Sequence, residues 1–75
     1  MIIKILGSGC KKCVALGANA KAAAEAAGKQ ADIVKVTDFA EIAAYGVMST
    51  PGLVVDDKLL SAGKVLTVEE IGRLL

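Results

Sequence analysis

The most restrictive feature of this sequence is a pair of cysteines, two residues apart, set between an apolar run and a helix-forming tract. The order is Ile2-Ile3-Lys4-Ile5-Leu6, then Gly7-Ser8-Gly9-Cys10-Lys11-Lys12-Cys13, then an alanine-rich stretch. Residues Ile2 to Leu6, aliphatic apart from Lys4, read as a mostly buried strand. Gly7 and Gly9 let the chain turn sharply into the helix. Residues i and i+3 of a helix have Cα atoms roughly 5 Å apart. That lies inside the roughly 4.4–6.8 Å that a disulfide requires, so Cys10 and Cys13 can close and reopen a bridge with little backbone movement. A bridge over so short a loop adds little stability, because the entropic gain grows with loop length. The pair suits chemistry better than stapling, and a dithiol redox centre is the first reading.

The chain has 75 residues, which fits a single domain over 1–75. A domain of this size buries only about 60% of the surface its unfolded chain would expose. Phe39 and Tyr45 are the only aromatics, so the core must come from Ile, Leu and Val packed over alanines. The net charge is +1 and the lysines are scattered, which argues against a nucleic-acid partner. No apolar run approaches the ~18 residues of a membrane span. Met1 leads straight into Ile2-Ile3-Lys4 without a signal-peptide pattern. Two cysteines in such a chain do not form a secreted disulfide framework, so a cytoplasmic location is expected. Histidine is absent, which removes the commonest general base and a common metal ligand.

Past the cysteines, residues from about Lys11 to Ala27 are good helix formers. Leu16, Ala20, Ala23, Ala24 and Ala27 form the packed stripe, Lys21 and Glu25 an i,i+4 pair, and Gly28 the stop. Ala31 to Val36 is the second strand. A strand, a crossover helix and a second strand imply a right-handed unit with parallel strands. Asp38-Phe39-Ala40-Glu41 reads as a capping box opening a short helix with Phe39, Ile42 and Ala43 inward. Gly46 ends it. The only proline, Pro51, follows Thr50 and precedes a strand over Gly52 to Val55. Asp56-Asp57-Lys58 reads as a tight hairpin turn before a strand over Leu59 to Ala62. Thr67-Val68-Glu69-Glu70 is a second capping box, starting a helix with Val68, Ile71, Leu74 and Leu75 apolar. Lys4 is expected to reach solvent, and Tyr45 to lie in the core or at a helix end.

This β-α-β-α-β-β-α order, with C-x-x-C at the first strand-to-helix turn and Thr50-Pro51 before the third strand, resembles the thioredoxin/glutaredoxin fold. More narrowly, the whole chain is similar to the small thioredoxin-like redox-active disulfide proteins of prokaryotes. The resemblance implies an α/β fold with a four-stranded mixed sheet and helices on both faces. It implies a thiol–disulfide oxidoreductase that reduces protein disulfides, with Cys10 attacking and Cys13 resolving. Pro51 would be a cis-proline facing the cysteines, and the Thr50 backbone would meet the substrate peptide. A thioredoxin-reductase-like or other dithiol reductase would recharge it. A monomer is expected, with no cofactor and no metal. Thioredoxins usually carry Trp where Gly9 stands, and a buried acid in the strand where Lys4 is the only charge. Proton handling at Cys13 must therefore differ, with water as one route. Glutaredoxins hold glutathione with a Gly-Gly pair and an acid; here Ala62-Gly63 stands without a following Asp.

The thiolate is the nucleophile. The partial positive charge at a helix start favours it at Cys10, and Lys11 and Lys12 add positive charge nearby. Both lysines also fit a plain solvated face. The competing reading is a soft-metal carrier binding copper or zinc through Cys10 and Cys13. Such domains run β-α-β-β-α-β, whereas here residues 38–45 read as a helix between the second and third strands, and the chain ends in a helix.

Overall fold

The computed structural model describes residues 1–9, 11–47 and 49–75. Its elements are β1 (Ile2–Leu6), α1 (Lys11–Ala26), β2 (Asp32–Val36), α2 (Phe39–Ala44), β3 (Gly52–Val55), β4 (Lys58–Ala62) and α3 (Val68–Leu74). The sheet order is β2-β1-β3-β4. β1 pairs parallel with β2 and antiparallel with β3, and β3 pairs antiparallel with β4. The parallel pair needs a crossover, which α1 supplies. This is the mixed, four-stranded α/β sheet that the sequence pattern and the resemblance imply.

Alternation along the strands sends side chains to opposite faces of the sheet, and two clusters result. On one face Ile3, Ile5 and Leu53 pack with Cys13, Leu16, Ala20, Ala23 and Ala24 of α1 and Ile71 of α3. On the other, Leu6, Val36 and Val54 pack with Ile42 of α2 and with Val47. Ile3, Leu16, Leu53 and Ile71 are completely enclosed, each worth roughly 1.5–3 kcal/mol relative to exposure. The alanines of α1 let the helix lie close to the sheet and to α3. The side-chain amide of Asn19 ties that pair further by donating to the Leu66 carbonyl at 2.9 Å.

The turns follow the local chemistry. Asp56 and Asp57 have φ of 48° and 67°, so β3 and β4 are joined by a two-residue turn of the left-handed kind. β4 therefore begins at Lys58, one residue earlier than the sequence implies. A register shift falls between Leu53 and Val54, and Leu60 of the opposing strand packs on the first cluster. Thr67 and Glu70 form the full reciprocal capping box of α3.

The sequence reading of α2 needs correction. Phe39 is 74% exposed, and Ala43 also faces solvent; Ile42 is the buried residue of this short helix. A helix of six residues presents barely one apolar position to the sheet. Asp38 caps it by accepting from the Ala40 N–H at 3.0 Å, so the cap is a single aspartate bond and not the expected box with Glu41. At the end of α1, Ala27 lies outside the helix and is exposed. Lys4 is half-buried, not free in solvent. Its ammonium donates to the Tyr45 hydroxyl at 2.9 Å and lies 3.7 Å from Asp57. The Tyr45 hydrogen bond, ahead of the nearby acidic charges, raises the Lys4 pKa above its ordinary value. Tyr45 thus bridges the end of α2 to the middle of β1.

Candidate active site

The C-terminal end of β1 is where the motif turn begins. The Gly7 N–H donates to the Val36 carbonyl at 2.9 Å, which extends the β1–β2 pairing past the strands themselves. Gly9 has φ of +86°, a left-handed conformation that glycine adopts without steric cost. The chain then enters α1 at Lys11. Cys13 lies in the first turn of α1 and is buried, at 5% exposure. Lys11 and Lys12 are both exposed. Cys10 lies outside the described residues.

Gly7 is the residue around which the other parts converge. A Cβ placed on it would overlap the Sγ of Cys13, and would lie 3.5 Å from Cβ of Thr50 and 3.6 Å from Cβ of Cys13. The sulfur of Cys13 thus occupies the room that the missing side chain leaves, and Thr50 borders the same point. Two distant stretches of sequence, the motif and the Thr-Pro step, meet across one glycine.

The Thr50–Pro51 peptide bond is cis. Pro51 is completely enclosed while Thr50 is exposed. The Pro51 carbonyl accepts from the Gly63 N–H at 2.8 Å. Gly63 has φ of +73°, and a Cβ there would stand 3.0 Å from Cβ of Ser49. A Cβ on Gly52 would stand 3.3 Å from both Leu6 and Val47 side chains. Glycines at 7, 52 and 63 therefore let the segment around Thr50 and Pro51 close in on the ends of β1 and β4. The sequence alone implies a turning role for Gly7 and no packing role for Gly63. No local pattern could have found their packing, because each partner is remote in the chain.

The structure thus sets a buried first-turn cysteine, Cys13, beside the Thr50–Pro51 step. A thioredoxin-domain family model matches residues 1–75. The chain belongs to the thioredoxin family. A thioredoxin of Methanocaldococcus jannaschii is 48% identical over 71 residues, covering 95% of this chain and 81% of that protein. A thioredoxin of Methanothermobacter thermautotrophicus is 37% identical over 75 residues, covering all of this chain and 97% of that one. Membership makes this a small thioredoxin-like redox protein, an enzyme of the thiol–disulfide oxidoreductase class.

Among the described residues there is no cluster of three or more His, Cys, Asp or Glu side chains able to hold a metal ion. No helix among them is long and apolar enough to cross a membrane. The helix α2 between β2 and β3, and the closing helix α3, depart from the element order of the soft-metal carriers.

Proposed function

We propose that this protein, as one domain over residues 1–75, reduces protein disulfides with the dithiol Cys10 and Cys13. The observation that carries this reading is the convergence at Gly7, where the buried Cys13 sulfur and Thr50 share one point beside the motif turn. The Cys10 thiolate attacks one sulfur of the substrate disulfide. A Cys10–substrate bond forms, and the other substrate sulfur leaves as a thiolate that takes a proton. Cys13, having given up its proton, then attacks Cys10. The mixed bond breaks, the second substrate thiol departs, and Cys10–Cys13 is left oxidised. Two electrons have passed from protein to substrate. A thioredoxin-reductase-like or other dithiol reductase returns them.

Each residue has a part in this reading. Cys10, the residue before Lys11 in sequence, is the attacking group, and Lys11 and Lys12 add positive charge that favours a thiolate there. Burial of Cys13 suits a resolving thiol, which has to meet only its own partner. The backbone of Thr50, an exposed residue next to the enclosed Pro51, pairs with an extended substrate segment by strand addition. The protein works as a cytoplasmic monomer with neither cofactor nor metal.

Insulin reduction driven by dithiothreitol tests the reading. The wild type should accelerate precipitation of the insulin B chain. Cys10→Ser should lose that activity, and Cys13→Ser should accumulate mixed disulfides through Cys10. A Cys10→Ser variant that kept most of the rate would overturn the mechanism. One tightly held copper or zinc ion per chain, in protein purified without chelator, would favour the carrier reading instead.

A further inference from the structure

Beside Cys13, between the first turns of α1 and the C-terminal end of β2, lies a crevice that the redox steps leave unused. Its walls come from Ile5, Cys13, Val14, Gly17, Lys35 and Thr37, together with glycines of the motif turn. They are carbon almost throughout, and the space within is about 20 Å³. That is enough for a group the size of a water molecule. Water is a poor occupant, because it needs two to four polar partners. Lys35, Thr37 and Cys13 line the crevice, but among the described residues almost none of the surface facing it is polar. A methyl-sized apolar group fits better. Val14, one of its walls, is 53% exposed.

Gly17 supports this reading. It stands in the interior of α1, where glycine weakens a helix relative to alanine. Packing does not require it: a Cβ there would meet only Cγ1 of Ile5, at an ordinary 3.7 Å. That Cβ would project from the crevice wall. The glycine therefore keeps the crevice open at the expense of the helix.

We propose that the crevice is a side-chain subsite, taking the methyl-bearing tip of a small aliphatic residue that flanks the cysteine of the substrate polypeptide. Gly7, Gly9 and Cys13 belong both to the motif turn and to the crevice wall. A polypeptide tethered through its sulfur at the motif therefore has its neighbouring residue within reach. The inference rests on the disulfide-reductase reading above and adds a substrate preference to it.

The test uses the full-length reduced protein and disulfide-linked peptides that differ only in the residue beside cysteine: Gly, Ala, Val or Trp. Exchange rates are read by mass spectrometry, with the neutral, side-chain-free bis(2-hydroxyethyl) disulfide as the reference substrate. Burying one methyl-sized group should make the Val peptide about fourfold faster than the Gly peptide. Trp, too large for the crevice, should gain nothing over Gly. Gly17→Ala should shrink the Val-to-Gly ratio to within about twofold of unity. Gly72→Ala, in α3 with nothing within 4 Å of the new Cβ, makes the same change of helix chemistry elsewhere and should keep the ratio. Rates that ignore the flanking residue, or a Gly17→Ala variant that keeps the full preference, would refute the subsite while leaving the redox reading intact. No reaction with bis(2-hydroxyethyl) disulfide would instead refute the redox reading itself.

Discussion

Replacing Gly7 by alanine isolates the contact on which the site is built. The backbone of Gly7 is not in the left-handed region, unlike that of Gly9, so alanine brings no conformational strain. The added methyl would instead fall on the Cys13 sulfur. Overpacking of this kind costs about 1–3 kcal/mol. Against that, a glycine-to-alanine change at a compatible position returns about 0.4–1 kcal/mol through the unfolded chain. In wild-type background the net loss should be about 1–2 kcal/mol. When Cys13 is itself alanine, the sulfur is gone. What remains near the new methyl is Cβ of Thr50 at 3.5 Å and Cβ of residue 13 at 3.6 Å, both ordinary contacts. In that background Gly7→Ala should be neutral or slightly stabilising.

The four proteins of this double-mutant cycle are unfolded in urea under reducing conditions, with a common m-value as the check that only stability has changed. The coupling between positions 7 and 13 should reach about 2 kcal/mol, well beyond the ~0.5 kcal/mol within which independent sites add. Gly9→Ala supplies the contrast. Its φ of +86° with open space around it makes the penalty conformational, about 1–2 kcal/mol and equal in both backgrounds. Additive costs for Gly7→Ala and Cys13→Ala would show that the sulfur does not fill the space over Gly7, and the convergence of motif and Thr-Pro step would fall with it.

Three further outcomes follow from the fold. Phe39→Ala should change stability by less than about 0.5 kcal/mol, since the ring is 74% exposed, whereas Ile42→Ala should cost about 2–4 kcal/mol; urea midpoints decide which of the two anchors α2. Asp57→Gly should stabilise by up to about 1 kcal/mol, because a residue at φ of 67° becomes glycine and only a surface ion pair with Lys4 is lost. Lys4→Met should lower stability at neutral pH. The folded pKa of Lys4 is raised, so its contribution is full below the ordinary lysine pKa and disappears as pH rises through the folded value. Thermal unfolding of the two proteins should therefore converge in strongly alkaline buffer, and a difference that persisted there would deny the Lys4–Tyr45 hydrogen bond its part.

The strands, helices and their order were legible because each carries its own period and its own stop signal. Ile2–Leu6 is a nearly unbroken aliphatic run, the stripe of α1 repeats at helical spacing, and Thr67 with Glu70 forms a cap within four residues. Where the inference failed, the local signal was too short to decide. In α2 the apolar residues Phe39 and Ile42 both suit an inward face, and only the sheet beneath determines that Ile42 takes it. The same limit applies to the site. The spacing of Cys10 and Cys13 can be read from the sequence, and so can the place of Thr50-Pro51 by resemblance. That Gly7 provides the room in which the Cys13 sulfur and Thr50 meet is a property of packing between remote segments, and it leaves no periodic mark.

The topology gives a physical reason for the site to lie where it does. β1 is the inner strand with mixed pairing, parallel to β2 through the α1 crossover and antiparallel to β3. At its C-terminal end the chain leaves the sheet through α1, while the Thr50–Pro51 step after α2 leads into β3 beside it. Open α/β sheets leave a crevice at such a reversal, outside the carboxyl ends of the strands. Here glycines at 7, 52 and 63 let side chains of Cys13, Leu6, Val47 and Ser49 come close to the backbone. A side chain at position 7 would displace the Cys13 sulfur, and side chains at 52 or 63 would crowd Leu6, Val47 and Ser49. The fold thus sets one sulfur, enclosed at the first turn of a helix, next to the exposed residue Thr50, with a strand end that carries no side chain between them.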